Sequence, residues 1–193
     1  RDPRKANHRF IAFAVPFGWI LNPDEFEKGL NVIVSNIRRI PPESVDSKIK
    51  NYHWLDLISG MFEAYDSNVD SVILVDEGNN ISEGPGFNIF CVDASGLNTP
   101  DKGVLEGVTR QTVLDLAKEI KLPVNLKSIS INMLNDSDEV FATSTAGGIM
   151  PITKINNQLV GNGTPGKVTR QIHKSYWDLH VNSRWTQSVN DLV

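Results

Sequence analysis

The 193-residue chain has one cysteine, Cys91, and no excess of either charge: 19 Lys and Arg stand against 23 Asp and Glu, a net charge of −4. A lone cysteine excludes an intramolecular disulfide and fits a reducing compartment, so the expected location is cytoplasmic. Cys91 alternates with Phe87 and Ile89, which makes it a small buried hydrophobe before it is a nucleophile. Without a Lys/Arg cluster, the chain lacks the electrostatic footprint of a nucleic-acid binder. The longest apolar run, Phe10 to Leu21, is too short to cross a bilayer and is broken by Pro16 and Gly18, so no membrane partner is expected. The four histidines show no metal-ligand spacing, so no metal is expected. A Gly-x-Ser-x-Gly elbow, a Walker loop and a dinucleotide fingerprint are all missing. What remains is a globular domain, 40% hydrophobic and 22% charged, long enough to bury one full core. Because it begins with Arg1 and not Met, it reads as part of a longer gene product.

Two stretches stand out. Glu139-Val-Phe-Ala-Thr-Ser-Thr-Ala-Gly-Gly-Ile-Met-Pro151 and Gly103-Val-Leu-Glu-Gly-Val-Thr-Arg-Gln-Thr112 each enter a turn rich in Gly and Thr, and the latter opens a helical pattern. Such a turn leaves backbone N–H groups free at a helix start, where the dipole favours an anion. Two of them in one domain point to a ligand with more than one negative group. Capping by Thr109 or Thr145 explains either turn taken alone.

The rest of the chain is strand-rich. Strands are expected over residues 9–20, 29–35, 71–76, 87–92, 124–131, 139–144 and 149–155, with a hairpin turn at Gly78-Asn79-Asn80. Helical spacing marks 51–65, 109–120 and 168–180. In the first helix, Leu55, Ile58, Met61, Phe62 and Tyr65 fall on one stripe, which is expected to face the core. Residues 1–8 read as a charged, flexible leader. The order favours an α/β chain of the mixed α+β kind, its mixed sheet curled into an incomplete barrel.

Three residue types could carry chemistry. Lys48 and Lys50 lie two apart on an extended segment, and a lysine desolvated at a strand end can attack a carbonyl. The ordinary alternative is a solvated surface lysine. Glu83 precedes Gly84-Pro-Gly86, where glycine allows a flat ligand to approach, and its carboxylate could hold a protonated ring nitrogen. The alternative is a surface charge at a hairpin end. Together with the Thr109 and Thr145 turns, these form the set that pyridoxal phosphate needs: a phosphate cradle, a Schiff-base lysine and an acid for the ring nitrogen.

The chain resembles the class IV, or fold-type IV, pyridoxal-phosphate aminotransferases. The resemblance is carried by Lys50-Asn-Tyr-His-Trp-Leu-Asp56 with Glu63-Ala64, by Ile81 to Phe90, by Thr99-Pro100, by Gly103 to Arg110, by Asp138 to Pro151 and by the glycine-rich Gly161 to Thr169. It implies a curled pseudo-barrel sheet with flanking helices, as in the large domain of D-amino acid aminotransferase-like proteins. Residues 1–193 would be that cofactor-binding domain, without the smaller domain that family members carry before it. The resemblance selects Lys50 over Lys48 as the Schiff-base lysine and pairs Glu83 with the pyridine nitrogen. Val108, Thr109 and Thr145 would bind the phosphate, and Leu105 would pack on one ring face. Trp54 would border the substrate. Ala146 would offer it a backbone N–H, and Arg1 or Arg4 would meet the acceptor carboxylate.

Within the family, Trp54, Gly60 to Ala64 and Thr-Ala-Gly-Gly-Ile-Met-Pro151 look most similar to (R)-selective amine:pyruvate transaminases. Branched-chain aminotransferases usually have tyrosine at the position of Trp54. Branched-chain or D-amino acid aminotransferases and aminodeoxychorismate-type lyases share the scaffold and stand as alternatives. Rivals of other classes are a catalytically silent fragment needing a partner and a nucleotide-binding module. The expected partners are an amine or amino acid, a keto acid and a second copy in a homodimer.

Overall fold

A strand with apolar side chains in succession, on both of its faces, has to be covered on both. In the computed structural model, which describes residues 2–188, β3 (Asn88–Asp93) is such a strand. Its Ile89 and Cys91 join one core cluster with Val140, Ala142 and Met150, while Phe90 and Val92 join another with Val113, Leu116 and Ile172. Cys91 is fully buried, and burial pushes its thiol up to about 11.

The other strands are β1 (Leu30–Arg38), β2 (Ser71–Val75), β4 (Gly96–Thr99), β5 (Val124–Leu126), β6 (Glu139–Ser144), β7 (Gly148–Ile155) and β8 (Gln158–Leu159). The helices are α1 (Leu55–Asp66), α2 (Val108–Glu119), α3 (Ile131–Asn135) and α4 (Lys167–Leu179). The eight strands form one sheet in the order β2-β1-β7-β6-β3-β4-β5, with β8 on β7. β1 runs parallel to β2 and β7, and β4 parallel to β5; the β3–β4, β3–β6, β6–β7 and β7–β8 pairs are antiparallel. The result is the expected mixed α+β architecture, a curled half-barrel sheet with helices against it. Residues from α2 and α4 fill one core cluster, and α1 covers β1 and β2. In the β3–β6 register Phe90 lies opposite Phe141, and their rings stack with centroids 5.1 Å apart. Such a pair adds roughly 0.5–1.5 kcal/mol beyond the area it buries.

The structure corrects four expectations. Residues 9–20 form no strand, and Phe10, Ile11, Phe13, Val15 and Phe17 are exposed, because no strand among the described residues pairs with them. In α1 the buried face is Leu57, Gly60 and Ala64, with Met61 half-buried, so Leu55, Ile58, Phe62 and Tyr65 point outward. Gly60 decides this: a Cβ there would lie 2.9 Å from Leu74 Cδ1 and 3.1 Å from Val72 Cγ1, so this is the face that can lie close on β2. The strand expected over 124–131 stops at Leu126, and Ser130 then caps α3 by accepting from the Met133 N–H at 3.1 Å. β4 was not expected as a strand; its Thr99 hydroxyl ties it to β3 by donating to the Ile89 carbonyl at 2.7 Å. Among the described residues no helix is long and apolar enough to cross a membrane.

Candidate active site

A cavity of about 790 Å³ opens between α1, α2 and the β6–β7 turn. Lys50, Trp54, Glu83 and Leu105 line it, and so do Val108, Thr109, Thr145 and Ala146. Arg4 does not: it lies in a short helical turn with its guanidinium on Asp2, Nε to Oδ1 at 2.8 Å. Arg1 lies outside the described residues.

The segment before α1 is not extended, as the two-lysine reading supposed, but a series of turns. Its two lysines therefore part company. Lys48 Nζ pairs with Glu106 at 2.8 Å, whereas Lys50 faces the cavity. Lys50 is exposed, so the expected desolvation is not provided by this chain's own packing. Trp54 stands beside the Gly84-Pro-Gly86 loop; a Cβ on Gly86 would come to 3.7 Å from its Cη2.

Glu83 is held by backbone and charge together. It leaves a short antiparallel pairing in which the Leu74 N–H donates to the Glu83 carbonyl at 3.0 Å. Its Oε2 accepts from the Leu105 N–H at 3.0 Å, and its Oε1 accepts from Arg39 Nε at 3.1 Å. The residue as a whole is 6% exposed. Burial raises the pKa of its carboxyl, against the opposing pull of the Leu105 N–H and Arg39. A carboxylate has about four acceptor sites, so Glu83 keeps capacity for a donor in the cavity.

Arg39, at the end of β1, was not singled out in the sequence, nor was its second partner. Its Nη1 lies 2.6 Å from Asp56 Oδ2, and Asp56 also accepts from the N–H groups of Ile40 and Leu57 at 2.7 and 2.8 Å. An arginine directly before Ile40-Pro41-Pro42, just past a strand rich in apolar residues, was the available signal.

The start of α2 is bare. Its N-cap is Gly107 and no side chain caps it, so among the described residues the N–H groups of Val108, Thr109 and Arg110 find no partner. Thr109 occupies the second helical position, not the cap, which removes the ordinary capping explanation for it. The contrast is α4, where Glu139 accepts from the N–H groups of Val168 and Thr169 at 3.0 and 2.7 Å. Asn88 fixes the approach to α2 by donating to the Leu105 carbonyl at 2.8 Å. A Cβ on Gly107 would come to 2.4 Å from Asn88 Oδ1, so a side chain there would push the Asn88 amide aside.

Thr145 lies in the turn between β6 and β7, exposed and lining the cavity. Ala146 departs from expectation: its N–H, assigned to a substrate carboxylate, donates to Ser144 Oγ at 3.1 Å, the bond that closes the turn. Its carbonyl accepts from the Ile20 N–H at 2.8 Å. Thr143, also missed in the sequence, lines the same cavity; it is 2% exposed and its hydroxyl has no partner among the described residues. A buried hydroxyl without a partner is a donor or acceptor left for something in the cavity.

The arrangement thus offers an amine, a buried acid and a row of neutral anion donors around one space. Residues 1–155 match the family described as amino-transferase class IV. A putative branched-chain-amino-acid aminotransferase of Methanocaldococcus jannaschii is 30% identical over 193 residues, 98% of this chain and 65% of the relative. The crystal structure of the Escherichia coli branched-chain amino acid aminotransferase superposes with a TM-score of 0.85 at 30% identity, covering 91% of this chain and 60% of that one. That of Thermobaculum terrenum in its PLP form gives 0.77 at 28% identity, covering 82% and 53%. The chain therefore spans under two thirds of the length of these relatives. By the extent of the family match and the identity to these relatives, the chain belongs to the class IV aminotransferases.

Proposed function

We propose that the chain is the large, cofactor-binding domain of a pyridoxal-5′-phosphate-dependent aminotransferase, which moves an amino group from an amine or amino acid to a keto acid such as pyruvate. The observation that carries this reading is one cavity into which Lys50, Glu83 and the uncapped start of α2 all converge. These residues fit the cofactor. Bare N–H groups and Thr109 suit a phosphate, Glu83 retains acceptor capacity, and the unpartnered Thr143 hydroxyl marks a polar neighbour. The Thermobaculum terrenum relative in its PLP form supports the assignment.

The cofactor supplies an electron sink for charge left on the substrate carbon. The protein's part is to hold, orient and move protons. The N–H groups of Val108 and Thr109, with the Thr109 and Thr145 hydroxyls, would hold the phosphate without covalent attachment, so retention of the cofactor would not depend on Lys50. Glu83 would favour a proton on the ring nitrogen, and Leu105 would supply an apolar wall of the cofactor site. The Lys50 amine would anchor the cofactor and serve as general base and general acid for the substrate proton.

Two donor classes are in play. The names of the relatives favour a branched-chain amino acid; the resemblance drawn from Trp54, where branched-chain aminotransferases usually have tyrosine, supports an (R)-amine. The exposed apolar stripe Leu55, Ile58, Phe62 and Tyr65 on α1 supports a homodimer. The test is alanine formation from pyruvate with pyridoxal phosphate and either donor, for wild type and Lys50→Ala. Alanine from wild type alone is expected, with the preferred donor deciding the class. Pyruvate released from aminodeoxychorismate, without alanine from either donor, would favour a lyase, and no product from any of these substrates would favour a silent fragment.

A further inference from the structure

One arginine is shared by two carboxylates behind the cavity. Arg39 and Glu83 line it, but Asp56 does not. The side chains of Arg39 and Asp56 are 8% and 14% exposed, and that of Glu83 8%. Arg39 lies closer to Asp56 (2.6 Å) than to Glu83 (3.1 Å), and two backbone N–H groups hold the Asp56 carboxylate at that contact. One positive and two negative groups leave this buried cluster one charge short of neutral. Without Asp56, Arg39 would cancel the charge of Glu83, and a further proton at the cavity wall would leave an uncompensated buried cation, which is strongly disfavoured.

We propose that Asp56 is a positioning residue that takes up the charge of Arg39 and so leaves Glu83 able to hold a proton on a ring nitrogen in the cavity. Asp56 touches no ligand; it acts through Arg39. The proposal rests on the cofactor reading above. It adds that protonation at Glu83 depends on a carboxylate outside the cavity, supplied by the first turn of α1.

The test is the ring-nitrogen resonance of ¹⁵N-labelled pyridoxal 5′-phosphate bound to the full chain. Wild type is expected at the pyridinium position and Asp56→Asn at the neutral pyridine position, with Asp56→Glu restoring the former. The double variant Arg39→Gln/Asp56→Asn removes one charge of each sign and keeps amide groups in both places. It is expected to return to the pyridinium position, and it carries the test alone should Asp56→Asn fail to fold. Pyridinium signals in Asp56→Asn, or a neutral signal in the double variant, would overturn the proposal. A wild-type chain that binds no pyridoxal phosphate would instead remove the reading beneath it, and the proposal with it.

Discussion

Glu83 Oε2 and the Leu105 N–H meet at 3.0 Å, joining the segment that pairs with β2 to the loop that leads into α2. One hydrogen bond therefore sets the acid and the anion-binding helix start in a fixed relation. Glu83→Gln keeps the side-chain shape and can still accept from Leu105 through its carbonyl oxygen. We expect it to retain bound cofactor while turnover falls by about 10²-fold or more, the scale of losing one preorganised electrostatic contact in a transition state. Absorbance measures the first and steady-state kinetics the second; undiminished turnover would remove the role assigned to Glu83.

Thr109→Ala should weaken the phosphate grip and little else. A hydrogen bond to a charged group is worth about 1.5–3 kcal/mol, so affinity for pyridoxal phosphate should drop roughly 10- to 100-fold. Affinity for unphosphorylated pyridoxal should hardly change. Titration with both ligands checks this, and equal binding of the two by wild type would contradict the assignment of α2.

His173 gives a prediction about stability. It is half-buried, its Nδ1–H donates to the Ile149 carbonyl at 3.1 Å, and the Phe26 ring lies 3.9 Å away, centroid to centroid. Burial holds the imidazole below its ordinary value of 6.5, opposed by the bond to Ile149. The unfolded chain thus binds a proton that the folded one resists. The stability His173 contributes is present above about pH 6.5 and is lost as pH falls below it toward the depressed folded value. His173→Gln should flatten that part of the profile in urea unfolding followed between about pH 5 and 7. An unchanged slope would mean that other groups account for it.

Much of this site was legible in the sequence because its parts stand at punctuated turns. Glu83 precedes Gly84-Pro-Gly86, Thr109 follows Gly107, and Thr145 precedes Gly147-Gly148. The periodicity of α2 and α4 likewise gave their extents to within a residue or two. The Arg39–Asp56–Glu83 cluster was not legible, since its members are 17 and 44 residues apart in sequence and no local pattern links them. α1 is apolar on two faces, so periodicity alone could not decide which one is buried; the close approach at Gly60 did. In β4, a glycine and an asparagine in four residues hid a strand that its neighbours on both sides impose.

The amine of Lys50 bears the whole chemical account, and its attachment can be read directly. The chain is incubated with pyridoxal 5′-phosphate, reduced with borohydride and digested, and the mass of each lysine peptide is measured. The account predicts a phosphopyridoxyl group on Lys50, with Lys48 left unmodified in its pair with Glu106. Modification spread over surface lysines, or absent from Lys50, would contradict it.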